Sequence, residues 1–139
     1  MTPATKQLDA LGIVYRTVSY DHDPSAASYG GEAAEVLGLD PDTVFKTLLA
    51  EVDGELVVAC VPVAGMLDLK ALARAAGGKK AVMANPTVAE RITGYVVGGI
   101  SPLGQRKQLP TFIDDWCQAL DEIHVSGGRR GLCLLYTSP

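Results

Sequence analysis

Apolar residues in this chain recur in short blocks that are separated by glycine, proline and aspartate. Blocks with helical spacing or capping residues predict helices, and blocks rich in β-branched and aromatic residues predict strands. The predicted helices cover residues 2–12, 32–37, 68–76 and 87–93, with one helical turn at 114–120. The predicted strands cover residues 13–20, 45–52, 55–62, 81–84, 95–97, 111–113 and 123–125. The sequence DHDP at 21–24 predicts a turn.

The strongest local signal is Asp53-Gly54, which lies between two apolar runs and predicts a tight β-hairpin. No internal repeat or linker interrupts the pattern. Short strands mixed with short helices are typical of an α+β fold, so we predict a single compact domain around a mixed sheet. A chain of 139 residues is long enough to give one such domain its own core.

The chain has no apolar run of membrane-spanning length, and its first ten residues lack the basic-then-apolar layout of a signal peptide. Its three cysteines, Cys60, Cys117 and Cys133, have neither disulfide-framework nor metal-site spacing. With only two histidines, a His-rich metal site is not expected. We therefore expect a cytoplasmic protein that uses no metal ion or other cofactor and has no membrane partner.

The net charge of -4 hides an uneven distribution along the chain. Residues 1–55 carry ten acidic and three basic side chains, whereas residues 56–139 carry six acidic and nine basic ones. An acidic chain does not favour general binding along DNA, but a basic second part can hold a polyanion at one defined contact. A solvated surface of mixed charge is the alternative. The candidates for phosphate contact are Lys70, Arg74, Lys79, Lys80, Arg106, Lys107, Arg129 and Arg130.

The stretch Asp42–Leu49 (DTVFKTLL) places a single lysine, Lys46, in an otherwise apolar run. Lysine is almost never fully buried unless it is paired. Lys46 therefore either lies on the solvent face of a half-buried strand or points into a pocket, where it would hold a carbonyl or phosphate oxygen. Local sequence alone does not decide between these two positions.

Side chains that could form a nucleophile and base pair are scarce. No nucleophile motif surrounds a cysteine, and neither His22 nor His124 has an evident nucleophile partner. Asp114 and Asp115 are adjacent, so their carboxyl groups are expected to point apart. The remaining candidates for chemistry are Lys46, hydroxyl groups and backbone amides.

Two glycine-rich segments can supply those amides: the first glycine loop, residues 98–102 (GGISP), and the second glycine loop, residues 126–128 (SGG). Each follows a predicted strand, and glycine lets a backbone approach a ligand closely. N–H groups in such loops can stabilise an oxyanion or hold a carboxylate or phosphate. Plain tight turns are the alternative reading of both segments.

Several stretches of the chain match one protein family in collinear order. They are MTPA at the start, YDHDP at 20–24, LGLDPDTVFKTLL, PVAGMLDLK, TGYVVGGISPLGQRKQLPT and VSGGRRGL. On these stretches the chain resembles the bacterial YbaK-type Cys-tRNA(Pro) deacylases, within the YbaK/EbsC and prolyl-tRNA synthetase editing-domain group. The resemblance implies an α/β domain with a mixed, barrel-like sheet. It also implies a trans-editing enzyme that removes cysteine from mischarged tRNA-Pro, with that aminoacyl-tRNA and prolyl-tRNA synthetase as partners.

Carried over position by position, the resemblance implies that Lys46 is catalytic. The substrate-binding residues that it implies are Tyr20, Thr47, Gly98, Gly99, Ile100, Ser101, Pro102, Ser126, Gly127 and Gly128. The first glycine loop corresponds to the family's GxxxP loop, which holds the substrate carbonyl and the 3′ end of the tRNA. The family's reaction is substrate-assisted: the cysteinyl thiol attacks its own ester carbonyl, so the protein needs no nucleophile.

The chain departs from this family near its end, where Cys133 replaces an aspartate. We expect residues 1–132 to form the editing domain, and residues 133–139 to be an atypical tail, truncated or joined from elsewhere, without the family's C-terminal helix. Other functions stay open: a deacylase for another small aminoacyl-tRNA, or a non-catalytic module that binds aminoacyl-tRNA or a nucleotide. A plain structural domain would leave Lys46 and both glycine loops without a role.

Overall fold

The described chain mixes short helices with strands that form two β-sheets. The computed structural model describes residues 2–22 and 29–137, with the side chains of residues 2–22 and 32–132. The α-helices are α1 (Pro3–Leu11), α2 (Tyr29–Leu37), α3 (Leu69–Ala75) and α4 (Pro86–Thr93), and a 3₁₀-helix spans Asp115–Ala119. The strands are β1 (Tyr15–Ser19), β2 (Phe45–Val52), β3 (Glu55–Pro62), β4 (Ala81–Met83), β5 (Thr111–Ile113), β6 (Glu122–Ser126) and β7 (Leu132–Thr137).

Local capping chemistry sets the ends of α1 and α4. The Thr2 side chain accepts a hydrogen bond from the Thr5 amide at the start of α1, and Asn85 caps α4 in the same way. Both helices end at a glycine with positive φ, Gly12 at 69° and Gly94 at 82°. The predicted helix boundaries at these glycines are therefore confirmed.

The larger sheet has the strand order β4-β2-β3-β5. Strands β2 and β3 pair antiparallel through the predicted hairpin, and both turn residues have positive φ, 51° at Asp53 and 85° at Gly54. Strand β5 pairs with β3 in parallel, so the sheet is mixed. The predicted α+β domain around a mixed sheet is confirmed.

The smaller sheet has the order β1-β7-β6, with β7 antiparallel to both neighbours. The backbone of residues 133–137 thus belongs to a central strand, although their side chains lie outside the described set. That residues 133–139 are an atypical tail stays a prediction. A parallel bridge between Val44 and His124 joins the two sheets.

The main core lies where α1, α4 and both sheets meet. It is formed by apolar residues of these elements and of the 95–100 segment: Ala4, Leu8, Phe45, Leu49, Val58, Cys60, Ala89, Tyr95, Ile100, Cys117, Ile123 and Val125. A smaller cluster fills the space between α3 and the other face of β2 and β3. The side chains of β2 therefore alternate between two apolar layers.

Some of the predicted elements are wrong or only partly right. Residues 95–97, predicted as a strand, form no strand because the Val97 amide and carbonyl bond to side chains rather than to a neighbouring strand. Strand β1 begins at Tyr15 rather than at residue 13, and α2 begins before residue 32. The predicted turn at 21–24 runs into residues 23–28, which lie outside the described residues. No helix of the described chain is long and apolar enough to span a bilayer.

Candidate functional site

A pocket of about 330 Å³ opens along one edge of β2, and we call it the β2 pocket. On this edge β2 pairs with β4 only from Ala50 onward, while Thr43 accepts a hydrogen bond from the His124 amide at 3.0 Å. Between these two points no neighbouring strand of the described chain covers β2. The pocket therefore forms where β4 and β6 diverge from β2.

The wall of the β2 pocket is mainly apolar. Strand β2 supplies one side. Another side is formed by Ala89 of α4, by Val97 and by Ile100 of the first glycine loop. Its polar side chains within the described residues are Tyr20, Lys46, Thr47, Ser126 and Arg129. An apolar enclosure with a few converging polar groups is the usual form of a ligand-binding site.

The structure brings together six of the residues singled out from the sequence: Tyr20, Lys46, Thr47, Gly98, Ile100 and Ser126 all line the β2 pocket. The other five do not line it: Gly99, Ser101, Pro102, Gly127 and Gly128. Their roles as binding residues stay predictions. Arg129, which was predicted from the sequence only as a candidate phosphate contact, also lines the pocket. Its place beside the second glycine loop was the available signal.

Lys46 lines the pocket, but its ammonium group already has a partner. Because side chains alternate along β2, Lys46 leaves the strand in phase with Ala50, on the opposite face from Phe45. Its Nζ donates a hydrogen bond of 2.8 Å to the carbonyl of Gly65, in the turn that follows β3. Gly65 is not part of the pocket wall. The ammonium has three N–H donors, so it can keep this carbonyl and still donate to a substrate oxygen.

Thr47 presents two kinds of polar group at the pocket. Thr43 and Leu49 both direct their carbonyls toward the open edge of β2, while Val44 directs its carbonyl toward the β3 side. By the same alternation the amide and carbonyl of Thr47 point into the uncovered edge. Its hydroxyl lies 3.9 Å from Cys60 Sγ across the hairpin.

Hydrogen bonds that involve the residues on either side of the first glycine loop hold this loop in place. The Tyr95 hydroxyl donates to the Leu103 carbonyl at 2.6 Å, and burial raises the pKa of Tyr95 to about 12, so it remains a donor at neutral pH. The Ser101 hydroxyl accepts from the Leu103 amide at 3.3 Å. Gly98, which lines the pocket, has a φ of 90°, a conformation that favours glycine.

The backbone that directly follows the second glycine loop packs against the first loop. A Cβ at Gly99 would lie only 2.8 Å from the Cα of Arg129, so the two backbones touch. Thr2 supports the second loop, because its hydroxyl donates a hydrogen bond to the Gly127 carbonyl. The N-terminus of α1 thus anchors a wall of the pocket, a contact that local sequence patterns do not reveal.

The titratable groups of the described chain do not form a nucleophile and base pair in this pocket. His22 contacts Glu32 at 2.8 Å and His124 contacts the Thr43 carbonyl, and neither histidine lines the pocket. Burial raises the pKa of the Cys60 thiol to about 11, so this cysteine is neutral near pH 7. No group of three or more potential metal-ligating side chains occurs among the described residues.

Comparison with known proteins gives one family-level match and several similar folds. The model of the aminoacyl-tRNA editing domain matches residues 23–137. A candidate Cys-tRNA(Pro)/Cys-tRNA(Cys) deacylase, EbsC of Enterococcus faecalis, is 44% identical over 101 residues, which are 71% of this chain and 61% of that protein. The matched part of the chain therefore spans less than two thirds of that relative's length.

Two solved structures resemble the fold closely. That of a hypothetical protein has a TM-score of 0.86 at 21% identity, over 97% of this chain and 88% of that chain. That of a candidate trans-editing enzyme for prolyl-tRNA synthetase has a TM-score of 0.80 at 22% identity, over 97% of this chain and 84% of that chain. At these identities the likeness establishes a shared fold.

Proposed function

Since the chain belongs to the aminoacyl-tRNA editing domain family, we propose that it is a trans-editing deacylase that removes cysteine from mischarged Cys-tRNA(Pro). Editing of aminoacyl-tRNA is the family-level function; the substrate, the mechanism and the partners are our proposals. The observation that carries them is the β2 pocket, which combines Lys46, Thr47 and loop amides with no nucleophile and base pair among the described residues. Such a pocket suits a reaction whose nucleophile comes from the substrate.

In the proposed reaction the cysteinyl thiol attacks the carbonyl carbon of its own ester. A C–S bond forms, the ester C–O bond to the terminal ribose breaks, and the thiol proton passes to the ribose oxygen. The products are a cyclic thioester, which water then opens, and an uncharged tRNA. Atoms balance without a protein nucleophile or a redox partner.

The chain would contribute positioning and charge stabilisation to this reaction. Negative charge develops on the carbonyl oxygen as the thiol adds, and preorganised donors in an apolar pocket stabilise such an oxyanion. We assign this task to the Lys46 ammonium, which has donors beyond the one bonded to the Gly65 carbonyl, and to amides of the first glycine loop. Thr47 and Ser126 would orient the aminoacyl group.

The tRNA would enter beside the second glycine loop. Arg129 is exposed there and lines the pocket, so its guanidinium can pair with a phosphate of the 3′ end. The solved relative described as a candidate trans-editing enzyme for prolyl-tRNA synthetase supports that synthetase as a partner. Translation takes place in the cytoplasm, which is therefore our proposed location.

A second candidate activity is deacylation of Cys-tRNA(Cys) in addition to Cys-tRNA(Pro). The relative from Enterococcus faecalis is described as acting on both Cys-tRNA(Pro) and Cys-tRNA(Cys), so discrimination between the two tRNAs can lie outside the domain. A deacylase for another small amino acid, or a module that binds aminoacyl-tRNA without cleaving it, are the remaining alternatives.

The deciding experiment measures release of radiolabelled cysteine from Cys-tRNA(Pro), Cys-tRNA(Cys) and Pro-tRNA(Pro), with and without prolyl-tRNA synthetase. We expect rapid release from Cys-tRNA(Pro), none from Pro-tRNA(Pro), and a larger difference between the two cysteinyl-tRNAs when the synthetase is present. Binding of Cys-tRNA(Pro) without any release would replace the deacylase proposal with the binding module.

A further inference from the structure

Val97 is held on both sides of its peptide backbone by charged side chains from two other segments. Its amide donates a hydrogen bond of 2.8 Å to the carboxylate of Glu90, in α4. Its carbonyl accepts two hydrogen bonds from the guanidinium of Arg130, 2.9 Å from Nε and 2.6 Å from Nη2. Paired contacts of this kind fix direction as well as distance.

The peptide that precedes Val97 is fixed as well. The Gly99 amide donates a hydrogen bond of 2.8 Å to the Val96 carbonyl, which closes a tight turn. Of the three consecutive amides at Val97, Gly98 and Gly99, two are therefore engaged. No acceptor for the third, that of Gly98, occurs among the described residues.

The hydrogen bonds of Val97 with Glu90 and Arg130 together form what we call the Val97 clamp. Its Arg130 side determines where this third amide points. The described chain contains no cis peptide bond, and in a trans peptide the carbonyl and the following N–H point in opposite directions. Because Arg130 draws the Val97 carbonyl toward itself, the Gly98 N–H faces away from Arg130. Gly98 itself lies in the wall of the β2 pocket.

We infer that Glu90 and Arg130 are positioning residues, which hold the Val97–Gly98 peptide so that the Gly98 N–H donates into the β2 pocket. This inference rests on the proposed deacylase function, in which that N–H meets the developing oxyanion. It assigns to Arg130 a role other than phosphate contact, since two of its donors are already used within the protein. Neither residue touches the substrate in this scheme.

The first test compares Arg130→Ala and Arg130→Lys with the unaltered chain in deacylation of Cys-tRNA(Pro). We expect Arg130→Ala to lower kcat roughly tenfold to a hundredfold with little change in KM, because a misdirected amide stabilises the transition state less. Arg130→Lys, which keeps a single donor, should give an intermediate kcat. A rise in KM that grows with added salt, at unchanged kcat, would instead make Arg130 a phosphate contact and overturn the inference.

The second test uses the other side of the clamp. Glu90→Gln keeps an oxygen that can accept from the Val97 amide and should retain most of kcat, whereas Glu90→Ala should lose it as Arg130→Ala does. Arg16→Ala is the matched control for Arg130→Ala. Arg16 is an exposed arginine that pairs with Glu122 at the surface and does not line the pocket. Equal losses in the Gln and Ala variants of Glu90 would contradict the positioning role.

A third measurement needs no substrate, and it separates failure of the clamp from failure of the proposed function. Amide hydrogen exchange at Val97 and Gly99, followed by NMR, should accelerate in Arg130→Ala and Glu90→Ala while exchange in β2 and β3 stays unchanged. Unaltered exchange at both amides would show that the clamp does not order the loop. Exchange can also accelerate in these variants although the unaltered chain deacylates no aminoacyl-tRNA. The two side chains would then order the loop without a catalytic role, and both the inference and the proposed function would be overturned.

Discussion

The ammonium group of Lys46 donates a hydrogen bond of 2.8 Å to the carbonyl of Gly65, 19 residues later in the chain. This contact gives the lysine a defined position at the margin of the β2 pocket before any substrate is present. Because an ammonium has three N–H donors, it can keep this bond and still donate to a substrate oxygen. The negative charge that develops on the substrate oxygen strengthens that second hydrogen bond in the transition state.

We therefore expect Lys46→Ala to slow deacylation about a hundredfold or more, as loss of a preorganised oxyanion donor does elsewhere. The domain should remain folded, because the Lys46 side chain belongs to neither apolar cluster. Single-turnover release of cysteine measures the rate, and thermal unfolding measures the stability. Lys6→Ala, on the exposed side of α1, is the control for loss of one ammonium group. A near-normal rate in Lys46→Ala would remove the lysine from the mechanism.

The thiol-assisted reaction predicts a sharp dependence on the substrate side chain. Seryl-tRNA and alanyl-tRNA are no larger than cysteinyl-tRNA, so the pocket of about 330 Å³ does not exclude them by size. They should nevertheless be cleaved slowly, because neither carries a thiol. A panel of aminoacyl-tRNAs on the same tRNA body measures this, with S-methylcysteinyl-tRNA as a blocked analogue. Rapid cleavage of the serine or alanine ester would favour attack by water.

The hydroxyl of Thr2 connects the start of α1 to the second glycine loop. It accepts from the Thr5 amide at 3.3 Å and donates to the Gly127 carbonyl. Thr2→Val keeps the shape but removes both bonds, and we expect it to lower the free energy of unfolding by about 1–2 kcal/mol. Deacylation should also slow, since the loop that carries Ser126 loses its anchor. Thr2→Ser keeps the hydroxyl and should behave like the unaltered chain in both chemical denaturation and cysteine release.

Much of this fold could be predicted from local sequence, because its signals are local. Asp53-Gly54 has the turn chemistry that a tight hairpin requires, and Gly12 and Gly94 end helices through their own backbone conformation. The same reasoning gave a wrong prediction for residues 95–97, which form no strand. Their β-branched and aromatic composition favours a strand, but Tyr95 packs in the core and Val97 finds its partners in the side chains of Glu90 and Arg130.

The residue types of the site could be predicted from the sequence, but their spatial arrangement could be predicted only in part. Lys46 could be singled out because lysine is rarely buried in an apolar run, and the two glycine loops because glycine lets a backbone approach a ligand closely. Thr47 was implied only by the family resemblance. The gap beside β2 depends on the bridge between Val44 and His124, which are 80 residues apart and carry no local signal of contact. The same holds for the hydrogen bond from Lys46 to Gly65, which only the folded hairpin brings within reach.

Asp53 gives a prediction for the dependence of stability on pH. Its carboxylate accepts hydrogen bonds from the amides of Lys79 at 2.9 Å and Lys80 at 3.0 Å, and these bonds hold the pKa of Asp53 below its usual value. A carboxyl whose pKa is lowered by folding stabilises the protein above its unfolded pKa, and this contribution is lost as the pH falls through the folded pKa. Asp53→Asn should therefore lower the urea midpoint at pH 7 and flatten the fall of that midpoint below about pH 4. The exposed Asp121→Asn is the control, and an equal flattening in that variant would mean that Asp53 has no special part in acid unfolding.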